Sequence, residues 1–215
     1  FWASGQVLSP RWDAFEIMEA PSSPELIGRR VTQIADEMGV GPFDALLEVT
    51  LREPDLKLRV KALLANDDID GITMLLNTEQ CTLGLSDAGA HVGQLCDAVL
   101  PTDLLGVWVR ERKALTLEDA VHKLTKVQAD LFGFTDRGEI RVGAHADIVV
   151  FDPETVAPGP VSRVRDFPAD GERLTASQPS GMHHLFVNGV EVVRDGRLLD
   201  SSTRPGRVVS PDPRR

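Results

Sequence analysis

From Asp136 onward the apolar residues of this 215-residue chain change their prevailing texture, and that change limits what it can fold into. Upstream, apolar positions recur every three or four residues, the spacing of a helix face; downstream they form short runs cut by Gly, Pro and Asp, the texture of strands and turns. A mixed α/β chain is expected, helical in its first part and β-rich in its second.

The helices carry their own end signals. Ser23, Pro24 and Glu25 supply an N-cap, a first-turn proline and a first-turn acid for Leu26, Ile27, Val31, Ile34, Ala35 and Met38, with Gly39 ending the run. A second helix begins at Pro42, turns Phe43, Leu46, Leu47 and Leu51 inward, and stops before Pro54. Residues 102–112 read as a capped helix, Thr116 with Asp119 as a weakened capping box opening LEDAVHKLT, and residues 127–132 as a short helix ended by Gly133. The opening residues, 1–21, read as a long loop with one extended piece around Phe15 to Ile17. Downstream, ADIVVF reads as a strand, and HLFV and VEVV flank Asn188-Gly189, the pair typical of a type I′ hairpin; Asp195-Gly196 turns the chain again. Residues 152–180 are expected to be an irregular connection.

Between these parts, LKLRVKALLA (residues 56–65) carries both an alternating and a helical pattern, and we read it as a strand. Asp67 and Asp68 cap a short helix with Ile69, Ile72, Leu75 and Leu76, and CTLGLS (residues 81–86) follows as a buried strand. Strand, helix and strand make a βαβ unit, hence a parallel sheet with ligands at the carboxyl ends of its strands. Asp87 stands at such an end, before the small residues of AGAHVG. It either joins catalytic groups on that rim or caps a turn, and spacing alone favours neither. His91 is either a second polar group there or an ordinary loop histidine.

Composition narrows the partners. Lys and Arg number 23 against 33 Asp and Glu, and the net charge of -10 opposes phosphate backbones and anionic membrane surfaces, so no nucleic acid and no membrane partner is expected. No run reaches the roughly 18 apolar residues of a membrane span, and no leader opens the chain, which points to a cytoplasmic protein. The chain opens on Phe1, mid-pattern and without a start-like segment, so a fragment is expected. Cys81 and Cys96 are too few for a disulfide framework and are expected to be reduced, with Cys96 in packing. Among the histidines, His122 is expected on a helix surface, His145 in a solvated turn, and His183 and His184 on opposite faces of a strand. None stands in H-x-H or H-E-x-x-H spacing.

LGLSDAGAH (residues 83–91), LTLEDAVHKLT (115–125), DRGEIRVGAHADIVVFDPETV (136–156), VNGVEVVRDGR and RPGRVV, in that order, resemble the carboxyl-terminal part of the amidohydrolase superfamily, nearest to its N-acyl-D-amino-acid deacylase (D-aminoacylase) branch. The resemblance implies an α/β fold: the last part of a metal-dependent (β/α)8 barrel over residues 1–135, the C-terminal share of a small β-sandwich over 136–203, and an exposed tail over 204–215. CTLGLS would be the eighth barrel strand. The implied activity is hydrolysis of a non-peptide C–N (amide) bond in a small N-acylated substrate, most of all an N-acyl amino acid, with one or two Zn2+ ions in the full-length protein. Asp87 would be both a metal ligand and the general acid/base at the metal-bound water, the other ligands lying upstream of Phe1.

One departure concerns the substrate. Many D-aminoacylases carry His-Pro-Arg after the aspartate, its arginine holding the substrate carboxylate, whereas Thr102 follows Pro101 here. His91 and Arg110 are the candidates for a replacement contact. The alternative reading is a truncated, catalytically silent binding or assembly module of the same fold. A half barrel exposes strand edges and apolar helix faces, so an isolated chain is expected to aggregate or form homo-oligomers.

Overall fold

A computed structural model of the chain describes residues 11–63, 65–96, 98–176 and 178–211. The expected opening loop up to Pro10 and the last four residues of the tail lie outside the described residues. The chain divides into two compact units after Ile72, each with a hydrophobic core of its own.

In the first unit, strand β1 (Phe15–Glu19) forms where the extended piece was expected. Helix α1 (Val31–Met38) starts later than its Ser-Pro-Glu signal implies, because residues 24–26 make only a single 3-10 turn. Gly28, at φ +83°, reverses the chain there. Its N–H then donates to Ile17 O (2.8 Å), and Ile17 N–H donates to Arg29 O (2.9 Å). The segment before α1 is thereby committed to strand-like pairing with β1 rather than to a helix.

Helix α2 (Pro42–Arg52) has the expected ends but a different inward face. Ala45 and Val49 are buried and Leu46 packs beside them, whereas Phe43, Leu47 and Leu51 are exposed, Leu51 at 67%. The apolar residues span more of the helix than one contact can cover, and close packing on Val31, Ile34 and Ala35 selects the smaller side chains. Strand β2 (Arg59–Ala62) realises the alternating half of LKLRVKALLA and pairs with β1. Glu53 is 3% exposed and accepts from Ser22 N–H (2.9 Å), tying the loop after β1 to the end of α2.

The expected parallel βαβ unit does not form. The pairing of β2 with β1 is antiparallel; α3 (Ile69–Asn77) follows, and residues 81–87 belong to no strand. Every strand pair among the described residues is antiparallel. A parallel strand needs ladder partners beside it, and none lies along 81–87.

In the second unit α4 (Leu100–Asp103) runs into a π-helix, Leu104–Glu111, where a plain helix was expected. Helix α5 (Leu117–Leu124) starts as read: Thr116 Oγ1 accepts from Asp119 N–H (3.1 Å) and donates to Asp119 Oδ2 (2.7 Å). Thr116→Ala is expected to cost about 1 kcal/mol. An unchanged urea midpoint would remove this cap from the account.

Helix α6 (Lys126–Leu131) and β3 (Ile148–Phe151) follow. The connection expected to be irregular contains a hairpin, β4 (Ser162–Phe167) with β5 (Gly171–Thr175). Strands β6 (Met182–Val187) and β7 (Val190–Arg194) join through Asn188 and Gly189 at φ 49° and 79°, both positive as a type I′ turn requires. With β8 (Arg197–Leu198) they form the sheet β3-β6-β7-β8. The core beneath joins Leu104, Leu105, Leu115 and Ala120 to Val156, with Phe151 and Met182 packed against them, so it draws on both sides of Asp136.

On this sheet His184 Nδ1 lies 2.7 Å from Glu191 Oε1, and Arg194 donates to both Glu191 oxygens. Arg194 and then His184 hold the Glu191 carboxyl at about 2, below its ordinary 4.5. A carboxyl that resists protonation in the folded state contributes stability above the unfolded value, near 4.5, and that contribution disappears as pH falls towards about 2. Glu191→Gln is expected to flatten this acid limb of the melting temperature against pH. If the limb is unchanged in that variant, its origin lies in other carboxylates.

Candidate active site

Residues 81–87 are held by side chains instead of a sheet. Lys123 Nζ donates to Cys81 O (3.0 Å), and Gln128 Nε2 donates to Leu83 O (2.9 Å) and to Thr82 Oγ1 (2.8 Å). Helices α5 and α6 thus occupy carbonyls that a β ladder would otherwise take. The segment is not the buried strand its sequence implied: Leu83 packs against the core, but Leu85 is 91% exposed.

The chain then turns at Asp87. Ser86 Oγ accepts from Ala88 N–H (3.3 Å) and the Asp87 carbonyl accepts from Ala90 N–H (3.0 Å). The Asp87 carboxylate is exposed, caps neither amide, and has no hydrogen-bond partner among the described residues. His91 is exposed at φ 47°, with its carbonyl accepting from Gln94 and Leu95 N–H. No hydrogen bond joins it to Asp87.

Arg110, the other candidate for a substrate contact, is engaged elsewhere: Nη1 donates to Val156 O (2.5 Å) and Nη2 lies 3.4 Å from Glu111 Oε1. It braces the core. His122 and His183 are exposed, and His184 faces Glu191, as strand alternation predicts. His145 is half-buried and paired with Asp136 (3.2 Å), where a solvated ring was expected. Cys81 and Cys96 are free thiols, both half-buried. No group of three or more His, Cys, Asp or Glu side chains able to hold a metal occurs among the described residues. No described helix is long and apolar enough to cross a membrane.

The β4–β5 hairpin packs on the loop that follows Asp87. Leu174 N–H donates to Val92 O (2.8 Å) and Arg163 Nη1 to Gly93 O (3.0 Å). Between hairpin and loop lies a cavity of about 460 Å³, lined in part by Ala88, Gly89, Val92, Cys96, Phe167 and Arg173. Arg173 pairs side-on with Asp166, Nε to Oδ1 and Nη2 to Oδ2, both 2.9 Å, and its Cζ lies 5.9 Å from the Phe167 ring centroid. This pair holds the Asp166 carboxyl below its ordinary range, so both partners are charged. Sequence reasoning missed the hairpin and Arg173. The alternation in SRVRDF and GERLT on either side of the Pro168–Asp170 turn is the signal that could have found them. A second cavity, of about 500 Å³, is lined by Leu105, Val121, Leu124, Ile148, Phe151 and Met182 among others, and Asp87 is not part of its wall.

An amidohydrolase family model matches residues 47–199. The N-acyl-D-glutamate deacylase of Alcaligenes xylosoxydans xylosoxydans is 40% identical over 115 residues, covering 52% of this chain and 20% of that protein. The D-aminoacylase of the same organism is 31% identical over 189 residues, 87% of this chain and 35% of that protein. A solved D-aminoacylase structure, described as defining a novel subset of amidohydrolases, is similar with a TM-score of 0.51 and 26% identity, covering 91% of this chain and 37% of that one. The chain thus spans between 20% and 37% of the length of these relatives.

Proposed function

The chain belongs to the amidohydrolase family, and we propose that it is the carboxyl-terminal part of an N-acyl amino acid deacylase built as a (β/α)8 barrel with a small β-sandwich. In this reading the helices before Asp136 close the barrel, and the sheet β3-β6-β7-β8 is the sandwich portion. The observation that carries the reading is the Asp87 carboxylate, exposed and uncommitted at the turn after residues 81–86.

The residues present fit a metal in part. Asp87 offers one anionic oxygen, a ligand type Zn2+ accepts, and no three-ligand group accompanies it among the described residues. The other ligands are assigned to the upstream part of the complete enzyme. One or two Zn2+ ions, when bound, would polarise the amide carbonyl and acidify a water.

Asp87 supplies the proton traffic. One Oδ takes the proton from the attacking water and delivers it to the amide nitrogen as the C–N bond breaks, which regenerates the carboxylate and releases an acid and an amine. His91, exposed on the same loop, is proposed to face the substrate.

The test is amine release from N-acyl-D-glutamate and N-acyl-D-aspartate, the compounds named for two relatives, by the complete enzyme loaded with zinc. Release that stops on chelation and returns with Zn2+ supports the deacylase. Absence of release from any N-acyl amino acid leaves the silent binding module as the reading.

A further inference from the structure

We infer that Arg173, presented by the β4–β5 hairpin in the cavity beside Asp87, binds the carboxylate of the N-acyl amino acid. The identity of the ligand rests on the deacylase reading; the site itself rests on geometry.

Among the described residues lining this cavity, Arg173 is the one cation, while on the same hairpin Arg163 is tied to Gly93 O and Glu172 (both bonds through Nη1, at 3.0 and 3.1 Å), and Arg165 to Asp170 and Glu172. Alternation along β4 and β5 separates these networks. Arg163 and Arg165 share one face, and Asp166 opposes them from the other, where it meets Arg173.

A guanidinium offers five N–H donors in a planar fork. Asp166 takes the side made by Nε and Nη2, which leaves the end made by Nη1 and the second Nη2 hydrogen for another carboxylate. Nη1 has no hydrogen-bond partner among the described residues. Asp166 and the Phe167 ring fix the guanidinium plane in advance, so little rotamer freedom is lost when a ligand arrives.

The surroundings suit an acylated amino acid. A volume of about 460 Å³ lies in the range of small-molecule sites. Val92, Leu95 and Phe167 offer apolar wall for the acyl or side-chain carbons, and Ala88 and Gly89 bring the cavity to the residues that directly follow Asp87. The two bonds from Leu174 and Arg163 to the loop, at Val92 and Gly93, hold the cation and the Asp87 turn in one fixed relation.

Cys96 lines the same cavity and Cys81 does not, which provides a probe that requires no turnover. In the complete enzyme carrying Asp87→Asn to stop hydrolysis, iodoacetamide labelling of Cys96 would be followed by peptide mass spectrometry, with Cys81 as internal reference. N-acetyl-D-glutamate is expected to slow Cys96 labelling, and the same compound with both carboxyls as carboxamides is not. Arg173→Gln should raise the half-protecting concentration about tenfold or more, the weight of a hydrogen bond to a charged group, while Arg173→Lys, which keeps the charge, retains partial protection. A melting curve for each variant checks that it is folded. Equal protection by acid and carboxamide, protection undiminished in a folded Arg173→Gln variant, or no protection by the acid would each overturn the assignment. A complete enzyme with Asp87 intact that hydrolyses no N-acyl amino acid, while the acid still protects Cys96, would sink the deacylase reading and leave the carboxylate site standing.

Discussion

Asp87→Asn in the complete enzyme is expected to lower amide hydrolysis by roughly 10²–10⁴-fold, the contribution of a placed proton-transfer group. Asparagine keeps the shape of the side chain but has neither the basic oxygen nor the negative charge that the proposed role needs. The fold should not register the change. The carboxylate is exposed and bonded to none of the described residues, and the turn is held by Ser86 Oγ and by the Asp87 carbonyl, both of which the variant retains. The decisive comparison is kcat beside the thermal transition. A large loss of kcat at unchanged melting temperature supports the assignment, and an Asp87→Asn enzyme with full kcat removes Asp87 from the chemistry. The contrast with Arg173→Gln is informative, because that variant is expected to weaken binding of the carboxylate while leaving the proton-transfer group in place.

Gly181→Ala carries the largest expected effect on stability. Gly181 sits at φ +66°, and a Cβ there would stand 2.5 Å from Val156 N and 2.7 Å from Val156 Cα. Both obstacles are backbone atoms of a fully buried residue at the centre of the second core, so neither can swing aside. Gly181 O also accepts from Asp152 N–H (2.8 Å), which fixes the glycine in turn. Left-handed strain of about 1–2 kcal/mol and overpacking of about 1–3 kcal/mol together give roughly 2–5 kcal/mol. That is a large fraction of the stability of an ordinary domain. Gly84→Ala is the matched control, since its added Cβ meets nothing within 4 Å. The urea midpoint should drop sharply for the first variant and hold for the second; coincident midpoints would contradict this account of how the sheet is joined to the π-helix and its core.

The elements that could be read from sequence are those whose cause is local. Asn188-Gly189 makes its hairpin because two adjacent residues must take positive φ, and Thr116 caps α5 because its hydroxyl reaches an amide three residues on. The order of motifs from Leu83 to Val209 likewise marked the family and singled out Asp87. What could not be read depends on neighbours remote in sequence. Which apolar stripe of α2 is buried follows from the close approach of α1, and hydrophobic attraction has no direction by which a sequence could name its partner. CTLGLS has the composition of a strand, yet strand pairing is a property of two segments, and here Lys123 and Gln128 hold its carbonyls instead. Asp87 was therefore marked as a candidate by the sequence itself, as one residue in a motif. The cavity beside it was decided by tertiary structure, because the hairpin that carries Arg173 meets the Asp87 loop through hydrogen bonds across the fold, at Val92 and Gly93.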